Sequence, residues 1–136
     1  MKFFYVLACT VLLGTGCKKA VEKAQEDIII SAMTDGEWVV VSFTHNSVDL
    51  SADFSSFRFK YHSNMTVDAL VGGTVEKTGT WDGDIATKTT WANFSNASQP
   101  LSLINGTWKI TNNTWTYVVA TQVVGNEIKS MRLEKL

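Results

Sequence analysis

From Gly36 onward, apolar and polar residues alternate with a period of two, in short runs separated by residues that favour turns. The runs are Glu37 to His45, Phe54 to Tyr61, Met65 to Val71, Thr74 to Trp81, Ile85 to Trp91, Gly106 to Asn112, Thr114 to Thr121 and Glu127 to Leu136. Each predicts one strand. Ser63-Asn64, Gly72-Gly73, Asp82-Gly83, Asn112-Asn113 and Gly125-Asn126 stand between runs and tolerate the positive φ that two-residue hairpins demand. Eight antiparallel strands joined mostly by tight hairpins leave two free edges unless the sheet closes on itself. The expected fold is therefore all-β: an eight-stranded up-and-down antiparallel barrel with a short N-terminal helix.

The same alternation predicts the faces. Phe57, Phe59 and Tyr61 oppose Arg58, Lys60 and His62, and Trp108 and Ile110 oppose Lys109 and Thr111, so the aromatic set is expected inside. In the first strand Trp38, Val40 and Ser42 oppose Val39, Val41 and Phe43. Both faces are apolar, which predicts a strand covered outside by the preceding helix.

Three of the five tryptophans follow a glycine by two positions: Gly36-Glu37-Trp38, Gly79-Thr80-Trp81 and Gly106-Thr107-Trp108. Glycine admits a close approach of backbone, and an inward indole fills a wide barrel end. In a meander, Trp38 and Trp81 share one end and Trp108 falls at the other. Gly36, Trp38, Trp81 and Trp108 are thus expected as structural barrel-end residues. Trp91 and Trp115 are less constrained, and with Phe59, Tyr61 and Tyr117 they are the candidates for lining a ligand cavity.

Ahead of the barrel the period is helical. In KKAVEKAQEDIIISAMTD, Val21, Ala24 and Ile28 fall at i, i+3 and i+7. Ile28 to Ile30 and Met33 are expected to dock on the sheet, with Lys18 to Lys23 as a tether. The first 16 residues read as an export signal: Lys2, then a largely apolar stretch of eleven residues from Phe3 to Leu13, then Gly14-Thr15-Gly16 before Cys17. The apolar stretch is shorter than the roughly 20 residues of a spanning helix. Cys17 is the expected lipidation site, tying the chain to a membrane. The expected organisation is a signal peptide over 1–16, a lipidated tether and short helix over 17–35, and the barrel over 36–136.

Charge and composition close off several chemistries. Losing Lys2 takes Lys+Arg from 12 to 11 against 13 acidic residues, leaving about −2. That balance argues against nucleic acid, which requires a basic patch. Cys9 leaves with the signal and Cys17 carries lipid, so no disulfide is expected. Two histidines and no free cysteine make a zinc site improbable, and Asp82 and Asp84 around Gly83 supply too few oxygens for calcium. His45 and His62 sit at strand ends, where a solvated turn histidine is the expectation. No catalytic set, metal or cofactor is expected, and the chain does not read as an enzyme.

Cys17 after its signal, the short helix, Gly36-Glu37-Trp38 opening the first strand, FRFKYHSNMTV, GTWDGDI, GTWKITNNTWTY and the closing MRLEKL together resemble the lipocalin-like domains of bacterial lipoproteins, those of the Bacteroidota above all. The resemblance implies a calycin-type barrel, with Gly36 and Trp38 matching the Gly-x-Trp of the lipocalin first strand. The C-terminal helix and bridging disulfide of lipocalins proper have no counterpart here. Two functions stay open on this basis: a membrane-anchored barrel binding a small apolar ligand, and a filled barrel that contacts another envelope protein, glycan machinery or a host enzyme. Lys18-Lys19, without an aspartate after Cys17, points to the outer membrane.

Overall fold

The computed structural model describes residues 19–136; Cys17, Lys18 and the signal peptide lie outside them. A helix, α1 (19–34), leads into β1 (Trp38–His45), β2 (Val48–Asp49), β3 (Phe57–Tyr61), β4 (Thr66–Val71), β5 (Thr74–Asp84), β6 (Thr89–Asn93), β7 (Gly106–Asn113), β8 (Tyr117–Val124) and β9 (Glu127–Lys135). All neighbouring pairs are antiparallel, and β1 pairs with β9 from Trp38↔Lys135 to His45↔Lys129. The sheet closes into an eight-stranded up-and-down barrel, with the two-residue β2 folded back on β1 as a ninth, minor strand.

Closure is unequal around the wall. β1 meets β3 through one pair, Trp38↔Phe59, and beyond it the two strands diverge. The long β1–β3 connection fills that gap: a 3-10 turn, η1 (Ser51–Phe54), drops Phe54 into the interior, 4.7 Å from the Phe43 ring. A second 3-10 turn, η2 (Leu101–Ile104), buries Leu101, Leu103 and Ile104. Both turns serve the end of the barrel where β1 finishes, the loop end. Here Phe43, Phe54, Trp108, Phe59 and Phe94 pack without exposure. At the opposite, helix end lie Trp38, Trp81 and Tyr61, with the Tyr61 and Trp81 rings edge to face at 5.2 Å.

The strand boundaries differ from the sequence reading at two hairpins. Asp82-Gly83 does not turn: β5 runs on to Asp84, which pairs with Thr89. The turn lies at residues 85–88, where the Asp84 carboxylate accepts from the amides of Ala86 and Thr87 and Lys88 takes φ 54°. Asn112-Asn113 likewise stays in the ladder, and the β7–β8 turn falls on Thr114 to Thr116. Register decides both, because Trp81 opposite Ala92 and Ile110 opposite Ala120 must face inward together. Gly72-Gly73 and Gly125 do turn, all with positive φ. Phe54 belongs to η1 rather than to a strand.

The first strand also departs from simple alternation. A bulge between Val40 and Ser42 inserts Val41, so Phe43 joins Trp38 and Val40 inside while Val41 is left 42% exposed. The two apolar faces therefore reflect a change of parity, and α1 does not cover the strand's outer side. The helix instead sits at the barrel end, where Ile30 and Met33 pack on the core. Its last carbonyls, which have no partner within the helix, receive donors from the barrel: the Trp38 indole N–H donates to the Met33 carbonyl at 2.9 Å and Lys60 Nζ to that of Thr34, while Lys60 also donates to the carbonyl of Gly36 just beyond the helix. Gly36, at φ 75°, turns the chain from helix to strand.

Candidate functional site

The two ends of the barrel are filled differently, and the difference creates a site. At the loop end, bulky residues from β1, β7 and the two 3-10 turns occupy the axis. Trp108 stands among them, its indole N–H donating to the Ile104 carbonyl at 2.7 Å and its ring edge to face with Phe43. Toward the helix end, several inward positions on β6 and β8 are small: Ala92, Val118 and Ala120. Space remains there. A cavity of about 830 Å3 reaches from α1 down to Trp108, walled by Trp38, Tyr61, Trp81, Met131 and Leu133. Ile29, Ile30 and Met33 of α1 form part of its mouth. A separate groove of about 610 Å3 runs along β6, β7 and β8 near Gln122 and Val123. It is more open to solvent than the cavity under α1, which is itself partly open, so the latter is the better candidate.

Each buried indole on the barrel axis is held by a hydrogen bond as well as by packing. Trp81 donates to the His62 carbonyl at 3.1 Å, matching the bonds of Trp38 and Trp108 already described. Each glycine two places upstream has its own reason. Gly36 and Gly106 adopt positive φ, while a Cβ on Gly79 would lie 2.5 Å from the Asn93 carbonyl oxygen.

The five proposed lining residues do not converge. Tyr61 lines the cavity. Trp91 also borders the cavity, at its rim, pairing with Asp82 on the outward parity and 40% exposed. Phe59 is buried yet packs away from the opening, against Phe57 and Phe94. Trp115 occupies the β7–β8 turn and is 57% exposed. Tyr117 points outward, with the Arg132 guanidinium 4.2 Å from its ring centre. The residues between Tyr117 and Ala120 are apolar on both parities, so alternation gives no sign of which face is inner. The inner set is the smaller one, Val118 and Ala120, and small side chains are what leave a cavity. Trp38, Trp81 and Trp108, read from sequence as end plugs, supply its walls and floor.

Polar groups near the site are few. Tyr61 is nine-tenths buried, its phenol is pushed well above the usual range by that burial, and its hydroxyl has no hydrogen-bond partner among the described residues. Outside the wall, His62 Nε2 lies 2.8 Å from Asp68, whose other oxygen accepts from the Thr78 hydroxyl at 2.6 Å. The hydroxyl bonds to the carboxylate rather than to the imidazole, so the trio lacks the nucleophile–base contact of a hydrolase. Among the described residues, no three His, Cys, Asp or Glu side chains converge on a point that suits a metal. None of the described helices is long and apolar enough to cross a membrane.

The Thr78 hydroxyl first, and His62 second, hold the Asp68 carboxyl below its ordinary value of 3.8. A carboxylate depressed on folding contributes stability that is full above the unfolded value and is lost as pH falls through the folded one. Denaturant unfolding between pH 5 and about 2.5 is expected to show this loss, and Asp68→Asn should flatten that limb. An unchanged limb in the variant would show that the carboxylate contributes nothing.

No protein-family model matches the chain, and no curated protein matches it. Among solved structures, the chain is similar to the crystal structure of a DUF4847 family protein from Bacteroides vulgatus. The TM-score is 0.54 at 12% identity, over 78% of this chain and 96% of that one. Likeness at that identity concerns the fold, which is a closed eight-stranded antiparallel up-and-down barrel of lipocalin-like form.

Proposed function

We propose that this protein is a lipoprotein, anchored through Cys17 to the bacterial outer membrane, whose barrel binds a small and largely apolar ligand beneath α1. The observation that carries the reading is the cavity of about 830 Å3, which falls within the roughly 300–1,000 Å3 of small-molecule sites. Its deep walls are indoles, a phenol and aliphatic side chains, the composition expected of such sites. Several acyl chains on Cys17 hold a protein at a membrane essentially irreversibly, since each buried methylene contributes about 0.8 kcal/mol. Incorporation of labelled palmitate by the wild type but not by Cys17→Ser tests the anchor.

Ligand binding is tested with N-phenyl-1-naphthylamine, an uncharged probe that fluoresces in apolar surroundings. The wild type is expected to bind it at micromolar concentration, with quenching of tryptophan emission. Ala120 is buried and lines the cavity. In Ala120→Phe the new ring occupies the space, and affinity is expected to fall about tenfold or more, equivalent to about 1.4 kcal/mol. Absence of binding by the wild type would overturn the reading. A second reading, a protein that contacts an envelope partner, is favoured by exposed Val48, Val123, Val124 and Ile128 near the loop end. A single stoichiometric partner recovered from membranes by the wild type, and lost on Val123→Lys, would favour it.

A further inference from the structure

The charges around the cavity are unevenly placed, and that bears on what can enter. Among its lining residues the ionisable carboxylates and ammonium groups are Glu26, Asp82, Asp84 and Lys88, all exposed, with Asp82 and Asp84 on the outward parity at the rim of β5. Three acids therefore stand against one base. Below them no lysine, arginine or carboxylate lines the walls; the deep surface is Trp38, Trp81, Trp108, Met131 and Leu133, with polar interruptions at Tyr61 and at Thr90, whose hydroxyl already donates to the Asp82 carbonyl. The fully occluded side-chain polar atom without a partner among the described residues is His45 Nε2, at the other end of β1. The unpartnered Tyr61 hydroxyl thus keeps contact with open space, on a residue that is itself nine-tenths buried.

A carboxylate carried into this site would pass a rim of three acids and one base and meet no cation among the deeper lining residues. The Lys129 and Lys135 ammonium groups lie over the Trp108 and Trp38 rings without lining the cavity, and an unpaired buried charge is far more costly than a buried hydroxyl or carbonyl. A neutral oxygen meets no such obstacle. It can also accept a hydrogen bond from Tyr61, whose proton burial retains. We propose that the cavity selects neutral amphiphiles, such as long-chain alcohols or esters, with Tyr61 hydrogen-bonding their oxygen, and that it rejects free fatty-acid carboxylates. This rests on the ligand-binding reading above and narrows it to one ligand class.

The test is displacement of N-phenyl-1-naphthylamine from the full chain at pH 8 by 1-dodecanol, methyl dodecanoate and dodecanoate, which share one chain length. The alcohol and ester are expected to displace the probe at concentrations about tenfold or more below dodecanoate. Tyr61→Phe should weaken dodecanol by about five- to tenfold, the range of one neutral hydrogen bond, and by more than it weakens the probe. Neutralising the mouth with Glu26→Gln and Asp82→Asn should strengthen dodecanoate about threefold, and by more than it strengthens dodecanol. Dodecanoate binding as tightly as the alcohol would overturn the selectivity, as would equal weakening of alcohol and probe in Tyr61→Phe, or no gain for dodecanoate at the neutralised mouth. In each of those cases the probe still binds and the cavity reading survives. Failure of the probe to bind the wild type removes both.

Discussion

Replacing Trp108 by alanine is expected to lower the free energy of unfolding by about 4 kcal/mol, within the range for truncating a fully buried aromatic residue. The residue is 1% exposed and occupies the axis of the barrel at its packed end. Three things are lost together. Phe43 loses the ring that it meets at 6.0 Å, the Ile104 carbonyl loses its donor, and the Lys129 ammonium loses the face that it approaches at 5.8 Å. Lys129 already sits in a partly desolvated position, held by the Leu103 carbonyl, and burial lowers its pKa. Taking away the indole leaves that charge beside a void. Chemical denaturation measures the effect, and Trp108→Phe should recover more than half of it by keeping a ring in place. A loss below about 1 kcal/mol, the size of a typical surface substitution or less, would show that the indole does not carry this end of the core.

The second large effect is expected at Gly79, from addition of a single methyl group. A Cβ there would stand 2.5 Å from the Asn93 carbonyl oxygen and 2.7 Å from the Phe94 ring. The obstacle is backbone. Its strand is tied to β5 through Thr80↔Asn93, and the ring belongs to a buried residue, so neither gives way freely. Gly79→Ala is expected to destabilise by about 3 kcal/mol, the upper end of ordinary overpacking, again read by denaturant unfolding. At Gly125, where nothing lies within 4 Å, an added Cβ meets only the strain of φ 59°, and Gly125→Asn should change stability by less than about 1 kcal/mol because asparagine tolerates that conformation. Comparable losses at the two positions would mean that turn strain, rather than crowding, sets the role of these glycines.

These contrasts show where local sequence carried the structural information. Gly72-Gly73 and Gly125-Asn126 announce hairpins because their neighbours alternate cleanly and the turn needs positive φ. Asp82-Gly83 carries the same local signal and does not turn, since pairing Trp81 with Ala92 inside the barrel pulls the reversal on to residues 85–88. The Val41 bulge hides the parity of the first strand in the same way. Of the proposed lining residues, Tyr61 was legible because it shares a clean alternation with Phe57 and Phe59. Trp115 and Tyr117 were chosen for being aromatic, whereas the space inside was left by the small residues Ala92, Val118 and Ala120, which attract no notice in a linear reading.

The sequence by itself determined that this chain forms a closed barrel of eight long strands behind a helix, because period-two alternation and turn chemistry are local properties that strand pairing only has to assemble. It also determined that Trp38, Trp81 and Trp108 are interior residues, since each falls on the apolar parity of its strand, although close backbone approach explains the preceding glycine only at Gly79. The tertiary structure alone decided that one end is packed solid by η1 and η2 while the other holds a cavity under α1. An interior volume is set by the difference between what several distant strands contribute and what the closed wall encloses, and no single segment contains that difference.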